Sequence, residues 1–146
     1  MTDKKRSVQA QQVIAASPDT IFDVLADPSR HAEIDGSGSV QKPKDGSPQR
    51  LALGARFGMD MKIGLPYSTK NEVVEFEEDR RIAWRHAGHH IWRYELEPVE
   101  AGTRVTETFD WATARAPWAL ELMRAPERNR KAMESTLVRL AAVVES

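Results

Sequence analysis

The strongest constraint on this chain is that its only long helical pattern comes last, behind a run of strands. Across residues 127–145, apolar side chains recur at Met133, Leu137, Leu140 and Val144. These three- and four-residue steps give a helix one buried stripe. Across residues 56–111 the sequence instead alternates at period two, with Gly and Pro between the runs. A lone amphipathic helix has nothing to bury its stripe against except that sheet. The predicted class is α+β, a curved sheet wrapped round one helix, and such a grip either packs solid or leaves a cavity.

At 146 residues and 16.4 kDa the chain can bury one core and has no room for a second, so residues 1–146 read as one domain. A net charge of −1 gives no general attraction to nucleic acid or to an anionic membrane. The absence of cysteine excludes disulfides and thiol chemistry and fits a reducing compartment. Residues 1–6 are polar and basic with no apolar signal core behind them. The longest apolar runs, residues 13–16 and 140–144, are too short to span a bilayer. The expectation is a cytoplasmic protein with no nucleic-acid partner and no integral membrane association.

A first strand is predicted over residues 7–15, with Val8, Ala10, Gln12 and Ile14 on one face. Ser17 is placed to cap a helix that has Pro18 at its first position, where a missing N–H costs nothing. Ile21, Phe22 and Leu25 form its buried side. Asp27-Pro28 repeats that start for a second short helix, stopping at Gly36. Gly36, Ser37 and Gly38 lead into a strand over residues 39–44. Asp45-Gly46-Ser47-Pro48 then turns the chain, and Gly54 opens the next strand. There Phe57, Met59 and Met61 face one way, while Arg56, Asp60 and Lys62 face the other. Residues 64–66 turn into a strand that runs to Glu77.

Residues 81–98 form a predicted hairpin. A two-residue turn would put Trp84 and Trp92 on opposite faces, because a one-residue slip flips every side chain. A three-residue loop, Ala87-Gly88-His89, pairs His86 with His90, Trp84 with Trp92 and Ile82 with Tyr94. Gly88 is then the residue expected to take positive φ. The next strand, residues 103–111, puts Val105, Glu107, Phe109 and Trp111 on one side. Pro117 begins a short helical piece holding Trp118 and Leu122. A break from the last helix is expected at Pro126, since proline removes a helical hydrogen bond. Extending the last helix's stripe backwards adds Asn129.

Parity and stripe together predict an inward set of Phe57, Met59, Met61, Trp84, Trp92, Tyr94, Phe109, Trp111, Trp118, Met133 and Leu137 around one common interior. All four tryptophans point inward in this reading, Leu122 lies beside them, and His86, Glu107 and Asn129 are the polar members. Residues 117–126 are expected beside the cavity mouth as a lid, with prolines weakening the hydrogen bonding at both ends.

One strand, two short proline-started helices, six strands and a long last helix is the helix-grip order. The sequence resembles the START-like, Bet v 1-like superfamily (SRPBCC), and within it the bacterial polyketide cyclase/dehydrase and lipid-transport family. The residues that carry the resemblance are Ser17-Pro18-Asp19-Thr20-Ile21-Phe22-Asp23-Val24-Leu25-Ala26-Asp27-Pro28, Val74-Glu75-Phe76-Glu77 with Arg80-Arg81-Ile82, Gly102-Thr103-Arg104-Val105-Thr106, and Thr136-Leu137-Val138-Arg139-Leu140. One departure is that many relatives carry a tryptophan shortly after Asp-Pro, where this chain reads His31-Ala32-Glu33-Ile34. The resemblance implies a seven-stranded antiparallel sheet gripping the last helix over an elongated hydrophobic cavity. Relatives include ligand carriers, aromatase/cyclases and chaperone-associated domains, so the fold alone does not fix the function.

Each candidate group has two readings. The tryptophans line a cavity for a flat ligand or simply fill a core. Glu107 is a general acid or base whose pKa desolvation raises, or it pairs with an arginine, or a bulge turns it outward. His86, His89 and His90 lack the spacing of a metal motif, and no thiol or cofactor fingerprint accompanies them, so no metal and no cofactor is expected. His31, Glu33 and Asp35 read as an exposed helix face. The favoured function is binding or carrying a hydrophobic small molecule. The alternative is an aromatase/cyclase using Glu107, Tyr94 and His86 to orient carbonyls and move protons. A protein-interaction module would instead show an exposed apolar groove.

Overall fold

The computed structural model describes residues 6–37, 40–43, 46–63 and 65–145, and at 41, 63 and 65–68 it describes the backbone alone. The predicted roles of Gly38, Ser39, Lys44, Asp45 and Gly64 lie outside the described residues.

In chain order the elements are β1 (Ser7–Ile14), α1 (Pro18–Leu25), a 3₁₀ turn (Pro28–Arg30), α2 (His31–Ile34), β2 (Val40–Pro43), β3 (Arg56–Ile63), β4 (Leu65–Glu77), β5 (Arg81–His86), β6 (Ile91–Val99), β7 (Gly102–Asp110), α3 (Pro117–Leu122) and α4 (Ala125–Glu145). The strands form one antiparallel sheet in the order β1-β7-β6-β5-β4-β3-β2. This is the helix-grip fold, with α4 lying across β1, β7 and α2. Met133, Leu137 and Leu140 bury the stripe of α4 at no more than 1% exposure. Each such side chain contributes about 1.5–3 kcal/mol, far more than the propensity of a helix on its own.

The hairpin register is the odd-loop one: Trp84 pairs with Trp92 and Ile82 with Tyr94, and His86 N donates to His90 O at 3.0 Å. The residue with positive φ is His89 (φ 71°), not Gly88. The third loop position is the one that must be left-handed to rejoin the ladder.

Several local expectations are corrected. Ser17 sits at the start of α1 in an extended conformation but makes no side-chain cap bond; its hydroxyl is taken by Asp19 and Thr20. Asp27 does cap the following turn, accepting from Ser29 N at 3.0 Å. The break between α3 and α4 falls at Met123 and Arg124, with Arg124 at φ 58°. Pro126 therefore lies inside the first turn of α4, where its missing N–H is tolerated. Gly36 does more than stop a helix. Its N–H donates to Thr136 Oγ1 at 2.9 Å, and an added Cβ would lie 2.4 Å from Ala132 O. Only glycine allows α2 and α4 to approach so closely.

Candidate functional site

The interior is two clusters and not one. The larger holds Phe22, Phe57, Met59, Trp84, Tyr94 and Leu137, and the smaller holds Phe109, Trp111 and Met133. Trp92 and Ala10 pack against both. The sheet supplies this arrangement by parity, since each inward residue stands opposite another inward residue on the neighbouring strand. Trp84 contacts Tyr94 diagonally, with ring centroids 5.8 Å apart, and Trp92 leans on Phe109 at 4.9 Å.

Trp118 and Leu122 are not part of this interior. They are 67% and 78% exposed, because α3 turns Leu120 inward against the smaller cluster instead. Glu121, on the same short helix, accepts from the Trp111 indole N–H at 2.8 Å. Asn129 and Met61 are half-buried.

His31, expected on an exposed helix face, is buried. Its ring stacks on Trp84 with centroids 5.2 Å apart, and its Nε2 lies 2.8 Å from Leu25 O. That carbonyl can only accept, so Nε2 carries the proton and Nδ1 is the free lone pair. Burial lowers the His31 pKa, and the bond to Leu25 offsets part of that. Of its helix companions, Glu33 pairs with Arg30 at 3.1 Å. Asp35 accepts from Ser37 and from Val40 N.

Glu107 faces inward between Ala10 and Tyr94 on the flanking strands. The residue is 3% exposed and its carboxyl joins no ion pair among the described residues, so neither an arginine nor a bulge relieves it. Oε1 has no hydrogen-bond partner. Burial pushes its pKa up to about 8; the Tyr94 hydroxyl partly offsets this, and the Asp35 charge adds to it. The group is thus mostly a neutral acid at pH 7, able to donate a hydrogen bond or a proton. Tyr94 is pushed up in turn, by burial first and by the Glu107 carboxyl second.

His86 and His90 close the inner face towards the hairpin tip, their rings stacked 4.6 Å apart. Burial, with a smaller effect from His90, holds His86 at a pKa of about 3, so the imidazole is neutral. His89 turns away, and its Nε2 accepts from Arg115 Nη2 at 3.2 Å. Among the described residues no group of three His, Asp or Glu comes together as a metal-holding set.

Residues 65–70 of β4 run past β5, whose last residue His86 stands opposite Asn71. Between this arm and the hairpin tip lies a cleft of about 470 Å³, bordered by Phe57, Asn71 and His86 of the inner-face layer and by Arg56, Lys70, Glu72 and Arg85 of the outer one. Asn71 is 6% exposed and its Oδ1 has no partner. Sequence reasoning missed Asn71 and placed His31 on an exposed face. The β4 alternation that would have marked Asn71 is broken by a bulge between Val73 and Glu75.

The family described as polyketide cyclase / dehydrase and lipid transport matches residues 5–145. An uncharacterized protein of Mycobacterium tuberculosis strain H37Rv is 36% identical over 134 residues, covering 88% of this chain and 59% of its own length. The chain therefore spans about three-fifths of the length of the curated relatives it matches. Among solved structures, a Polyketide_cyc-like protein of Corynebacterium glutamicum is 22% identical, with a TM-score of 0.65 over 99% of this chain and 94% of that one. A protein of Chromobacterium violaceum is 18% identical, with a TM-score of 0.74 over 97% and 98%. Identities this low carry the fold alone. The match along nearly the whole chain, on a seven-stranded grip around one long helix, makes this protein a member of the polyketide cyclase/dehydrase and lipid-transport family.

Proposed function

We propose that the chain binds a hydrophobic small molecule against the inner face of the sheet at its hairpin-tip end. The observation that carries this reading is the aromatic inner face itself, where Trp92 and His86 stay only half-buried beside a cleft of about 470 Å³ at the hairpin tip. On the inner face Met61 and Trp92 remain half-buried. The size of the cleft is ordinary for a small-molecule site, and the aromatic side chains of the inner face, Phe57, Trp84, Trp92 and Phe109, suit a flat apolar guest. Phe57, Met59, Met61, Trp84, Trp92, Phe109, Trp111, Met133 and Leu137 supply the apolar surface; His86, Tyr94, Glu107 and Asn129 orient its polar end. Mass spectrometry of molecules released from the purified protein tests this. An apolar compound carried by the wild type and lost from Trp92→Ala supports it. A wild type that carries nothing and takes up no apolar probe sinks it.

One observation favours the cyclase reading as a second possibility. Glu107 is a buried acid, neutral at pH 7, with an unpartnered oxygen beside a phenol. Such a pair polarises a carbonyl and passes a proton during loss of water. Incubating wild type and Glu107→Gln with a poly-ketone separates the readings. A carrier returns the compound unchanged from both proteins. A cyclase forms new aromatic absorbance that the variant loses with little loss of binding.

A further inference from the structure

One short helix keeps large apolar side chains in solvent. Trp118 and Leu122 of α3 are 67% and 78% exposed, and Met123 at its C-terminal end is 59% exposed. This exposure is not fraying, because the opposite side of α3 is tied down. Leu120 packs against Phe109, Trp111 and Met133. Glu121 accepts from the Trp111 indole N–H at 2.8 Å and from Arg6 Nε at 3.2 Å. Apolar side chains scattered singly over a surface need no explanation, but these three lie within six residues. Together they present on the order of 400 Å² of apolar surface, a size that marks an interaction site. Cations flank the patch at both ends. Arg115 lies three residues before Trp118, and Arg124 follows Met123 directly. Arg128 and Lys131 continue from Arg124 at steps of four and three, an exposed stripe on the side of α4 turned away from buried Met133. Arg124, Arg128 and Lys131 join no ion pair among the described residues. Glu127 is the exposed acid among them. The local balance is positive on a chain whose net charge is −1.

We infer that α3 and the first turns of α4 dock on an anionic lipid surface. Trp118, Leu122 and Met123 enter the headgroup boundary, and Arg115, Arg124, Arg128 and Lys131 meet the headgroups. The inference stands apart from whatever the inner face binds. An indole is at home at headgroup level, where its apolar body is buried and its N–H stays wet. Leucine and methionine beside it reach the acyl boundary, as the apolar side of an interfacial helix does. Basic residues next to that apolar side are drawn to acidic lipids over about a Debye length. A second copy of the chain fits less well. The patch is about half of what one partner contributes to a stable protein interface. No helix among the described residues is long and apolar enough to cross a membrane, so the contact is peripheral.

The test uses the full chain and two kinds of vesicle, phosphatidylcholine alone and phosphatidylcholine mixed with phosphatidylglycerol, sedimented at low salt. The protein should partition at least about tenfold more strongly onto the anionic vesicles, and high salt should remove most of that preference. Trp118→Ala should cut partitioning severalfold, and Arg128→Gln with Lys131→Gln should cut it about tenfold. Lys42→Gln with Lys62→Gln, which removes two exposed charges from β2 and β3, should leave it within about twofold. Tryptophan emission should move to the blue on binding. Trp118→Phe keeps an apolar ring, so it should still bind but lose most of that shift. Thermal melts confirm that the variants are folded. Equal partitioning onto both vesicles, or partitioning that survives the α3 and α4 variants, overturns the inference. An undiminished blue shift in Trp118→Phe places lipid at the inner tryptophans instead and also overturns it. A dimer in vesicle-free sedimentation velocity that Trp118→Ala dissolves gives the patch to a second copy. A folded wild type that binds no vesicle leaves it to a protein partner, and either result overturns lipid docking.

Discussion

Replacing Glu107 by Gln keeps the shape of the side chain and removes its proton chemistry, and the structure fixes how stability should respond. The folded carboxyl titrates at about 8 and the unfolded one near 4.5. A raised folded pKa means that the folded state binds the proton more tightly. Below pH 4.5 both states are protonated and no penalty exists. As pH rises through the window from 4.5 to 8, the unfolded chain ionises first and stability falls. The slope is about 1.4 kcal/mol per pH unit, so the penalty at pH 7 is about 3 kcal/mol. Gln never ionises and escapes it. The variant should therefore match the wild type at pH 4.5 and exceed it by up to about 3 kcal/mol at pH 7. Urea unfolding of both proteins between pH 4.5 and 8.5 measures the difference, and any other titrating group cancels because both carry it. A difference that does not change with pH, or a variant that becomes the weaker one as pH rises, would refute the buried neutral acid.

Other groups give independent expectations. His86 has the opposite sign: its pKa is lowered to about 3, so its contribution is complete above pH 6.5 and is lost as pH falls. At pH 5 the loss is about 2 kcal/mol, and His86→Gln should flatten that part of the acid limb in the same unfolding series. Gly36→Ala places a Cβ 2.4 Å from Ala132 O and 2.6 Å from Thr136 N, both backbone atoms of α4. It should cost about 3 kcal/mol or more, read as a lowered melting temperature. Trp84→Ala, at 9% exposure, should cost about 3–5 kcal/mol. Trp118→Ala, at 67% exposure, should cost about 0.5 kcal/mol or less, although both remove an indole.

What the sequence made legible follows from how many constraints act on each segment. β5, β6 and β7 alternate regularly and are tied at both ends, so parity alone aligned Trp84 with Trp92 and turned Glu107 inward. α3 offers no such constraint. In six residues it carries Trp118, Leu120 and Leu122, and an apolar pattern that short has no unique buried side. The structure buries Leu120 because it meets the cluster of Phe109, Trp111 and Met133. α2 is a single turn, too short for a period to show, and its two acidic neighbours disguised the burial of His31. Asn71 was hidden by the bulge that shifts β4 out of step.

The central claim, a hydrophobic ligand on the inner face at the hairpin-tip end of the grip, is tested most directly by the four tryptophan indoles. Each gives a separate N–H resonance in a ¹⁵N-labelled sample. Trp92 lies beside the cleft next to His86, at 6.3 Å between rings. Trp84 lies deeper against Phe57, Trp111 is anchored to Glu121, and Trp118 stands in solvent. Titrating 1-pyrenebutanol should shift the Trp92 resonance most through the ring current of the bound probe, with a smaller change at Trp84 and none at Trp118. A titration in which Trp118 moves while Trp92 stays fixed would place the ligand on the outside of α3 and contradict the account.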